Sequence, residues 1–318
     1  MMQIMRLSDD EAFEMFKAAR WKDGEPVCPC CGHKAHYWLG TRKQWRCKDC
    51  GHTFSVTSST IFAHHKLPLR DYLAAIAIYS NCAKGLSALQ MSRDLNVQYK
   101  SAWVLLHKLR ESLVDEDPEM LSGDVEMDGC YINKHVRPKN NRSERADRRL
   151  KCNQNPKKRT IMVFRERGEK GFGAIKTRTL LTRSENQRAT MILARKNIDP
   201  SATIFADEHD SYNVLHSTLV TKRVVHAEHY VGPNGESTNQ AESFFSRFRR
   251  MQYGQIHKMD NNYADRYANE AAYREDTRRR PNGDIFEDVM TRCAQSMVSR
   301  DFCGYWQGNK RIGENIAA

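Results

Sequence analysis

The sequence lacks an apolar run long enough to span a membrane. No stretch approaches the run of about 18–20 apolar residues that a membrane-spanning helix needs. The amino-terminal segment MMQIMRLSDDEAFEMF is acidic and amphipathic, without the basic stretch and following apolar stretch of a secretory signal. We therefore expect a cytoplasmic protein with no membrane partner.

Acidic residues are too few to balance the basic ones. The 318 residues include 39 Asp and Glu against 51 Lys and Arg, which leaves a formal net charge of +12. Such a surface attracts polyanions, so nucleic acid is the leading candidate partner. Hydrophobic residues make up 40% of the chain, which excludes a hydrophobe-poor, disordered protein and predicts two or three folded domains.

Disulfide bonds are not predicted from the ten cysteines, because a long basic chain without an export signal is not a disulfide scaffold. Four cysteines form two CxxCG motifs, Cys28 with Cys31 and Cys47 with Cys50. Each motif makes a tight turn that directs both thiolates to one ion, and its glycine permits the backbone conformation in which amides approach sulfur. The four thiolates predict a closed tetrahedral site for structural zinc, with Cys30 outside it. Iron at the same site and buried free cysteines are the alternatives.

A short helix and a small antiparallel ribbon are predicted around this site. Ser8, with Glu11 three residues later, has the capping-box pattern that begins a helix. Alternating segments over 36–39, 44–46 and 52–56 predict the strands of the ribbon. Its exposed basic residues either contact phosphate or are solvated: Arg42, Lys43, Arg46 and Lys48.

Helical periodicity governs the segment from Pro68 to about Leu113. Ser87 predicts the start of a second helix. Asn96 predicts the turn before a third, because asparagine tolerates left-handed backbone better than most residues. This spacing is typical of a helix-turn-helix, although other three-helix clusters share it. If the third helix enters a DNA major groove, bases are contacted by the residues at its start: Gln98, Tyr99, Lys100 and Ser101.

A strand periodicity replaces the helical one after Pro118. Three predicted strands precede a helix over 186–197 and a fourth strand, and a fifth strand and a long helix follow. This is the order of the RNase H-like fold, an α/β fold with a mixed sheet and flanking helices. The order is diagnostic only with acids in place, and here the first strand contains Asp128 while the fourth ends on Asp207. The strands are predicted at 125–132, 160–164, 175–181, 202–206 and 222–226.

Three carboxylates are expected to converge at one edge of this sheet, those of Asp128, Asp207 and Glu242, the last at the start of the long helix. Carboxylate oxygens bind magnesium or manganese, and two such ions can activate an attacking hydroxyl and stabilise a leaving oxygen in phosphodiester chemistry. Asp210 competes with Asp207 for the second position. Asn239 as N-cap with Glu242 three residues later is also a helix-capping pattern, which gives Glu242 a purely structural alternative.

The chain carries a series of short motifs: the two CxxCG pairs, TIF and LPL at 60–69, KGLS at 84–87, EMDGCYI at 126–132 and STNQAESFF at 237–245. In this order they resemble the insertion-sequence transposase family IS1595 over nearly the whole chain. The resemblance implies a DDE transposase whose third acidic position varies among Glu, Asn and His, so Asn239 stays a candidate beside Glu242. It also implies a basic catalytic-site residue seven positions after the glutamate. Arg249 stands there, where the family usually has lysine.

A basic segment separates the first two predicted strands of the catalytic domain. Residues 133–159 contain eleven Lys or Arg and two acids, a composition typical of a solvated loop or, beside a nuclease site, of a DNA clamp. Along the chain we expect a leading helix and zinc ribbon over 1–65, a helix-turn-helix over 66–118, a catalytic domain over 119–280 and a tail of unassigned role over 281–318.

Together these features predict a transposase that hydrolyses DNA at the ends of its insertion sequence and uses the freed 3′-hydroxyl for strand transfer into target DNA. It would act on double-stranded DNA as a homo-oligomer, in the cytoplasm at the nucleoid, with structural zinc and catalytic magnesium or manganese. One alternative is a non-enzymatic DNA-binding regulator, which would be expected to lose at least one of the acids. Another is an RNase H that cleaves RNA, which does not require two added DNA-binding modules.

Overall fold

A computed structural model describes the chain over residues 2–115, 117–169, 171–226, 228, 230–233 and 235–318. The chain divides into two units, of which the first contains the cysteine motifs and the second contains the predicted acids. The first unit comprises residues 1–115 and 279–311, and the second comprises residues 116–278 and 312–318.

The first unit begins with two helices, α1 (Met2–Met5) and α2 (Asp9–Arg20). The predicted capping box begins α2: Ser8 Oγ accepts the N–H of Glu11, and the Glu11 carboxylate accepts the N–H of Ser8. The predicted antiparallel ribbon follows, in the strand order β1-β2-β3. Its strands are β1 (His36–Leu39), β2 (Gln44–Cys47) and β3 (Thr53–Ser55).

Aromatic rings pack α2 onto the ribbon. Trp45 of β2 is 7% exposed, and its ring centroid lies 5.7 Å from that of Phe13 in α2 and 5.7 Å from that of Phe54 in β3. Trp21, directly after α2, meets Trp45 edge-on at 5.3 Å. Because buried rings contribute large apolar areas, α2 and the ribbon share one small core.

Three helices lie where the periodicity predicted them: α3 (Leu69–Asn81), α4 (Ala88–Asp94) and α5 (Tyr99–Ser112). Ser87 Oγ accepts the N–H of Gln90 at 3.1 Å and so caps α4. Asn96 has φ 51°, the left-handed backbone predicted for this turn. Every residue of α3 from 72 to 80 is buried, because α2 and a helix from the far end of the chain pack against it.

That helix is α9 (Asn282–Gln295), in the stretch for which the sequence predicted no element. Its buried side chains follow helical spacing, and α9 packs against α2, α3 and α5. Residues 279–311 therefore complete the core of the first unit, whereas 312–318 lie with the second. The buried residues of α9 include Ile285, Phe286, Val289, Met290 and Cys293.

The second unit is built on a five-stranded mixed sheet with the order β6-β5-β4-β7-β8. β4, β5 and β6 pair in antiparallel fashion, β7 is parallel to β4, and β8 is parallel to β7. The last strand ends three residues before His226, the end predicted for it. The strands are β4 (Asp124–Ile132), β5 (Arg159–Arg167), β6 (Ala174–Thr182), β7 (Thr203–Ala206) and β8 (Val220–Arg223).

Helices flank this sheet. On α6 (Gln187–Asn197), whose N-cap Asn186 accepts the N–H of Ala189, buried leucine and alanine side chains join a core with Val125 and Met127 of β4. The helices α7 (Asn239–Met251) and α8 (Ala264–Thr277) pack against each other, α7 also against β4 and β5, and α8 against β6. Among the described helices, none combines the length and the apolar character needed to cross a membrane.

Replacing Val289 by alanine should lower the free energy of unfolding by about 2 kcal/mol, because this fully buried side chain of α9 leaves a cavity in the first unit. Thermal unfolding of the full-length protein measures the change. Glu287→Ala, at an exposed position of the same helix, should alter the melting temperature little. Equal melting temperatures for the two variants would contradict the packing of α9 in this core.

Candidate active site and zinc site

The four motif cysteines meet at one point. Their sulfurs all lie within 4.8 Å of one another, with 3.7 Å between Cys28 and Cys50 and 3.6 Å between Cys31 and Cys47. A tetrahedron with zinc–sulfur bonds of about 2.3 Å has sulfur–sulfur separations of about 3.8 Å, so this spacing fits zinc. Over the described part of the chain, no other group of three or more Cys, His, Asp or Glu ligand atoms is so close, and Cys30 lies outside this one.

Both turns of the zinc site form as the CxxCG motifs predict. Gly32 (φ 75°) and Gly51 (φ 70°) adopt left-handed backbone, and their N–H groups donate to the carbonyl of the first cysteine in each motif. The His52 amide lowers the pKa of Cys50, but burial and the three other sulfurs raise it, to about 12 in total. Four crowded sulfurs therefore ionise together only beside a cation, which agrees with a metal site.

Strand pairing sets Asp128 beside Asp207. β4 and β7 are parallel neighbours, and Glu126 lies opposite Phe205. Asp128 and Asp207 each follow two residues later, so the same register places them opposite each other. Neighbouring strands lie about 4.8 Å apart, so the two side chains start from adjacent backbone positions. Asp207 directly follows the last residue of β7. The fold thus brings together two acids that the sequence predicted as partners.

Negative charge is concentrated around Asp128. Burial raises the pKa of Asp128 to about 8, although the N–H of Gly129 donates to its carboxylate at 2.7 Å and lowers it. The charges of Asp207, Glu185 and Glu242 raise this pKa further. The other two predicted acids therefore lie within electrostatic reach of Asp128, and so does Glu185, which the sequence did not single out. A divalent cation would reverse the shift by favouring the ionised form.

The long helix carries Glu242 toward these acids. α7 begins at Asn239, its N-cap is Thr238, and the Thr238 side chain makes no capping hydrogen bond. The capping interpretation of Asn239 and Glu242 is therefore wrong, because Asn239 is already the first helical residue and Glu242 the fourth. Glu242 Oε1 lies 3.5 Å from Nε2 of His226, which follows β8, and Asn239 is exposed.

Two other residues singled out in the sequence lie at the border of this group. Asp210 is exposed at the start of a 3-10 segment. Arg249, two turns after Glu242 on α7, has its Nη2 3.3 Å from Sγ of Cys130. Since Cys130 is two residues after Asp128, both side chains project from the same face of β4, and Arg249 lies beside the acids.

Glu126 attaches the start of α7 to the sheet. Its side chain is 1% exposed and accepts the N–H groups of Gln240 and Ala241 at 2.7 and 3.1 Å, and Nε–H of Arg167 at 2.8 Å. Arg167 also donates to the carbonyl and hydroxyl oxygens of Ser237 at 2.7 and 2.9 Å. Burial raises the pKa of Glu126, while Arg167 and the two amides oppose the rise. Helix amides without an intrahelical partner favour a carboxylate, so Glu126 positions the helix that carries the third acid.

The residues predicted to contact bases lie at the start of α5. Tyr99 is 57% exposed, and Lys100 Nζ lies 5.4 Å from the ring centroid of Tyr305. A cavity of about 720 Å³ lies at the start of α5, and residues between 302 and 309 form part of its lining. A DNA-contacting surface here would therefore include part of the carboxyl-terminal segment. The other predicted contact residues also line the cavity: Gln98, Lys100 and Ser101.

The basic segment between β4 and β5 is exposed over most of its length. Its regular structure, in the described residues, consists of short 3-10 turns at Arg142–Glu144 and Lys151–Asn153. Of the basic residues of the ribbon, Lys43 forms an ion pair with Asp10 at 2.5 Å. The others are exposed: Arg42, Arg46 and Lys48.

Both regions match known protein families. Residues 120–276 match the ISXO2-like transposase domain, and residues 7–53 match the transposase zinc-ribbon domain. The chain belongs to the IS1595 family of transposases. An uncharacterized protein in transposable element ISH50 of Halobacterium salinarum is 26% identical to this transposase over 255 residues, which cover 77% of this chain and 83% of that protein. The matched ranges contain the four-cysteine site and the grouped acids Asp128, Glu185, Asp207 and Glu242.

In this transposase, Cys47→Ser should abolish zinc binding because a closed site loses one of its four ligands, whereas Cys30→Ser should retain about one zinc per chain. Elemental analysis of the purified variants measures the metal content. Zinc retained in the Cys47 variant and lost from the Cys30 variant would show that the ligand set is wrong.

Glu126→Gln should destabilise this transposase by about 2–3 kcal/mol, because a neutral amide cannot pair with Arg167 and also satisfy both helix amides. Chemical denaturation measures the free energy of unfolding. Glu169→Gln, at an exposed position just beyond β5, is the matched control and should have little effect. If both variants unfold at the same denaturant concentration, Glu126 does not hold α7.

Proposed function

We propose that this transposase cleaves DNA strands at the ends of its insertion sequence and joins the freed 3′-hydroxyl to target DNA, in a reaction that needs magnesium or manganese. Asp128, Asp207 and Glu242 are the proposed catalytic carboxylates. The observation that supports the proposal most directly is the parallel pairing of β4 with β7, because it places the backbone of Asp128 next to that of Asp207.

The donor set suits a hard divalent cation, because the grouped acids offer carboxylate oxygens. Asp128 and Asp207 would hold the metal from the sheet, and Glu242 would approach it from α7. Bound there, magnesium or manganese would activate the attacking hydroxyl and stabilise the leaving oxygen. The pKa of Asp128, raised to about 8, supports this role. Burial and neighbouring negative charges disfavour its ionised form, and a nearby cation would stabilise that form.

The proposed reaction has two phosphoryl-transfer steps. In the first, water adds to a phosphorus at the element end while the bond from that phosphorus to the 3′ oxygen breaks, which frees a 3′-hydroxyl. In the second, this hydroxyl attacks a target phosphodiester and displaces the target strand's 3′ oxygen. Arg249 would contact a phosphate near the acids, where its guanidinium can donate two hydrogen bonds to phosphate oxygens.

For the second unit we propose the RNase H-like fold. The sheet order β6-β5-β4-β7-β8 supports it, with three antiparallel strands followed by parallel β7 and β8. The positions of the acids support it as well, since Asp128 lies within β4 and Asp207 follows β7 directly.

For the first unit we propose recognition of double-stranded DNA at the element ends. Helices α4 and α5 would act as a helix-turn-helix, with residues 98–101 at the bases and the zinc ribbon beside them. The basic segment 133–159 and the net charge of +12 favour additional phosphate contacts. The expected homo-oligomer and the expected cytoplasmic, nucleoid-associated location rest on this DNA substrate and stay predictions.

Asp128→Asn and Asp207→Asn should each reduce cleavage by roughly 1000-fold, about 4 kcal/mol in the barrier, because each removes a metal ligand. Cleavage of DNA carrying the ends of the transposase's own element, in magnesium and in manganese, measures this. Zinc content and DNA affinity of the same variants should be unchanged. Asp210→Asn, which removes an exposed acid three residues after Asp207, is the matched control and should cleave normally.

The third position is tested by Glu242→Gln and Asn239→Ala. Loss of cleavage in the Glu242 variant alone supports the proposed set, whereas loss in the Asn239 variant alone assigns the third position to the asparagine. Normal cleavage by both aspartate variants would reject the proposal. Specific DNA binding without cleavage by the unmodified protein in both metals would instead favour a non-enzymatic regulator.

A further inference from the structure

Glu185 lies in the connection between β6 and α6, directly before the Asn186 cap, and the proposed reaction assigns it no role. It is nevertheless one of the three acids whose charge reaches Asp128. Its surroundings differ from those of an acid that merely faces solvent.

The Glu185 carboxylate lies against the backbone that holds Asp128. A Cβ atom at Gly129 would be 2.7 Å from the Glu185 carboxyl carbon and 2.8 Å or less from both of its oxygens. Any other residue at position 129 would therefore displace this carboxylate, and only glycine permits the close approach. The same Gly129 donates its N–H to Asp128. The two acids thus lie on either side of one glycine.

Glu185 is held by tyrosine hydroxyls. The hydroxyl of Tyr212, a fully buried residue five positions after Asp207, donates to Glu185 Oε1 at 2.6 Å. Tyr131 of β4 also donates to Glu185, and burial followed by this negative charge raises the pKa of Tyr131 to about 12. In the part of the chain that the structure describes, no Lys, Arg or His forms an ion pair with Glu185. The fold therefore holds the Glu185 carboxylate next to Gly129 and Asp128, and within the described residues no ion pair balances its charge.

We propose that Glu185 is a fourth carboxylate of the metal centre, which binds the divalent cation together with Asp128 and Asp207, and that Tyr212 orients it. This inference rests on the proposed function. Carboxylates that are held in place without ion pairs to basic residues favour a bound cation. Their oxygen donors suit magnesium and manganese. The pairing also gives a role to the buried Tyr212, which the three proposed catalytic carboxylates leave unexplained.

Manganese binding to the full-length, zinc-loaded protein tests the proposal independently of cleavage. Titration followed by the electron paramagnetic resonance of free Mn²⁺ should show at least tenfold weaker binding for Glu185→Gln, because a neutral amide is a poor ligand. The magnesium concentration for half-maximal cleavage should rise in parallel. Zinc content and melting temperature report that the variant is folded. Asp210→Asn, which removes one exposed negative charge from the same unit, should bind Mn²⁺ normally.

Two further variants keep the test decisive if Glu185→Gln folds poorly. Glu185→Asp keeps the charge and should retain part of the affinity. Tyr212→Phe keeps the carboxylate but removes the hydroxyl that orients it, and should weaken Mn²⁺ binding by less than Glu185→Gln does.

The possible failures are distinguishable. If the unmodified protein binds Mn²⁺ and cleaves DNA, but Glu185→Gln does both equally well, Glu185 is not a ligand and the proposed function stands. If the unmodified protein neither binds Mn²⁺ nor cleaves DNA, the proposed function fails and this inference fails with it.

Discussion

The parallel pairing of β4 with β7 is the constraint on which the proposed active site depends. It places Asp128, within β4, next to Asp207, which directly follows β7, although the two are far apart in the sequence. Its register is determined by the alternation along β4, where Val125 and Met127 enter the core beneath α6 and Asp128 faces α7. A shift of one residue would exchange the two faces, burying the acid in the apolar core. The same alternation that packs the core therefore aims the carboxylate.

The acids of this sheet fall into two classes according to what balances their charge. Glu126 is buried but fully satisfied, by Arg167 and by two amides of α7, and so contributes to holding the helix. Asp128 is partly buried and receives one amide, and its desolvation together with the neighbouring acids raises its pKa to about 8. A charge satisfied by the protein is structural, whereas one left beside like charges is suited to bind a cation. Two residues on one strand thus take different roles.

Features whose physical cause lies within a few residues were predictable from the sequence. The CxxCG turns place two sulfurs at chelating distance through local backbone geometry, so the grouping of Cys28 with Cys31 was predictable before any fold was known. The capping box at Ser8 and the left-handed turn at Asn96 are equally local. The strands and helices around Asp128 were also predicted, because alternation between apolar and polar residues reports which face of an element is buried.

Tertiary structure decided what each buried face meets, because periodicity carries no information about the partner. In the sequence, Glu185 is an acid in a turn and Glu126 an acid within a strand. The fold places Glu185 against Gly129 and Glu126 against the start of α7, and both contacts join residues that are far apart in the sequence. The position of α9 is non-local for the same reason. The capping interpretation of Glu242 was wrong because a shift of one residue in the helix start, which packing determines, moves the residue out of the capping position. Composition and local motifs thus determined the family and the candidate acids, while long-range strand pairing decided which acids lie together.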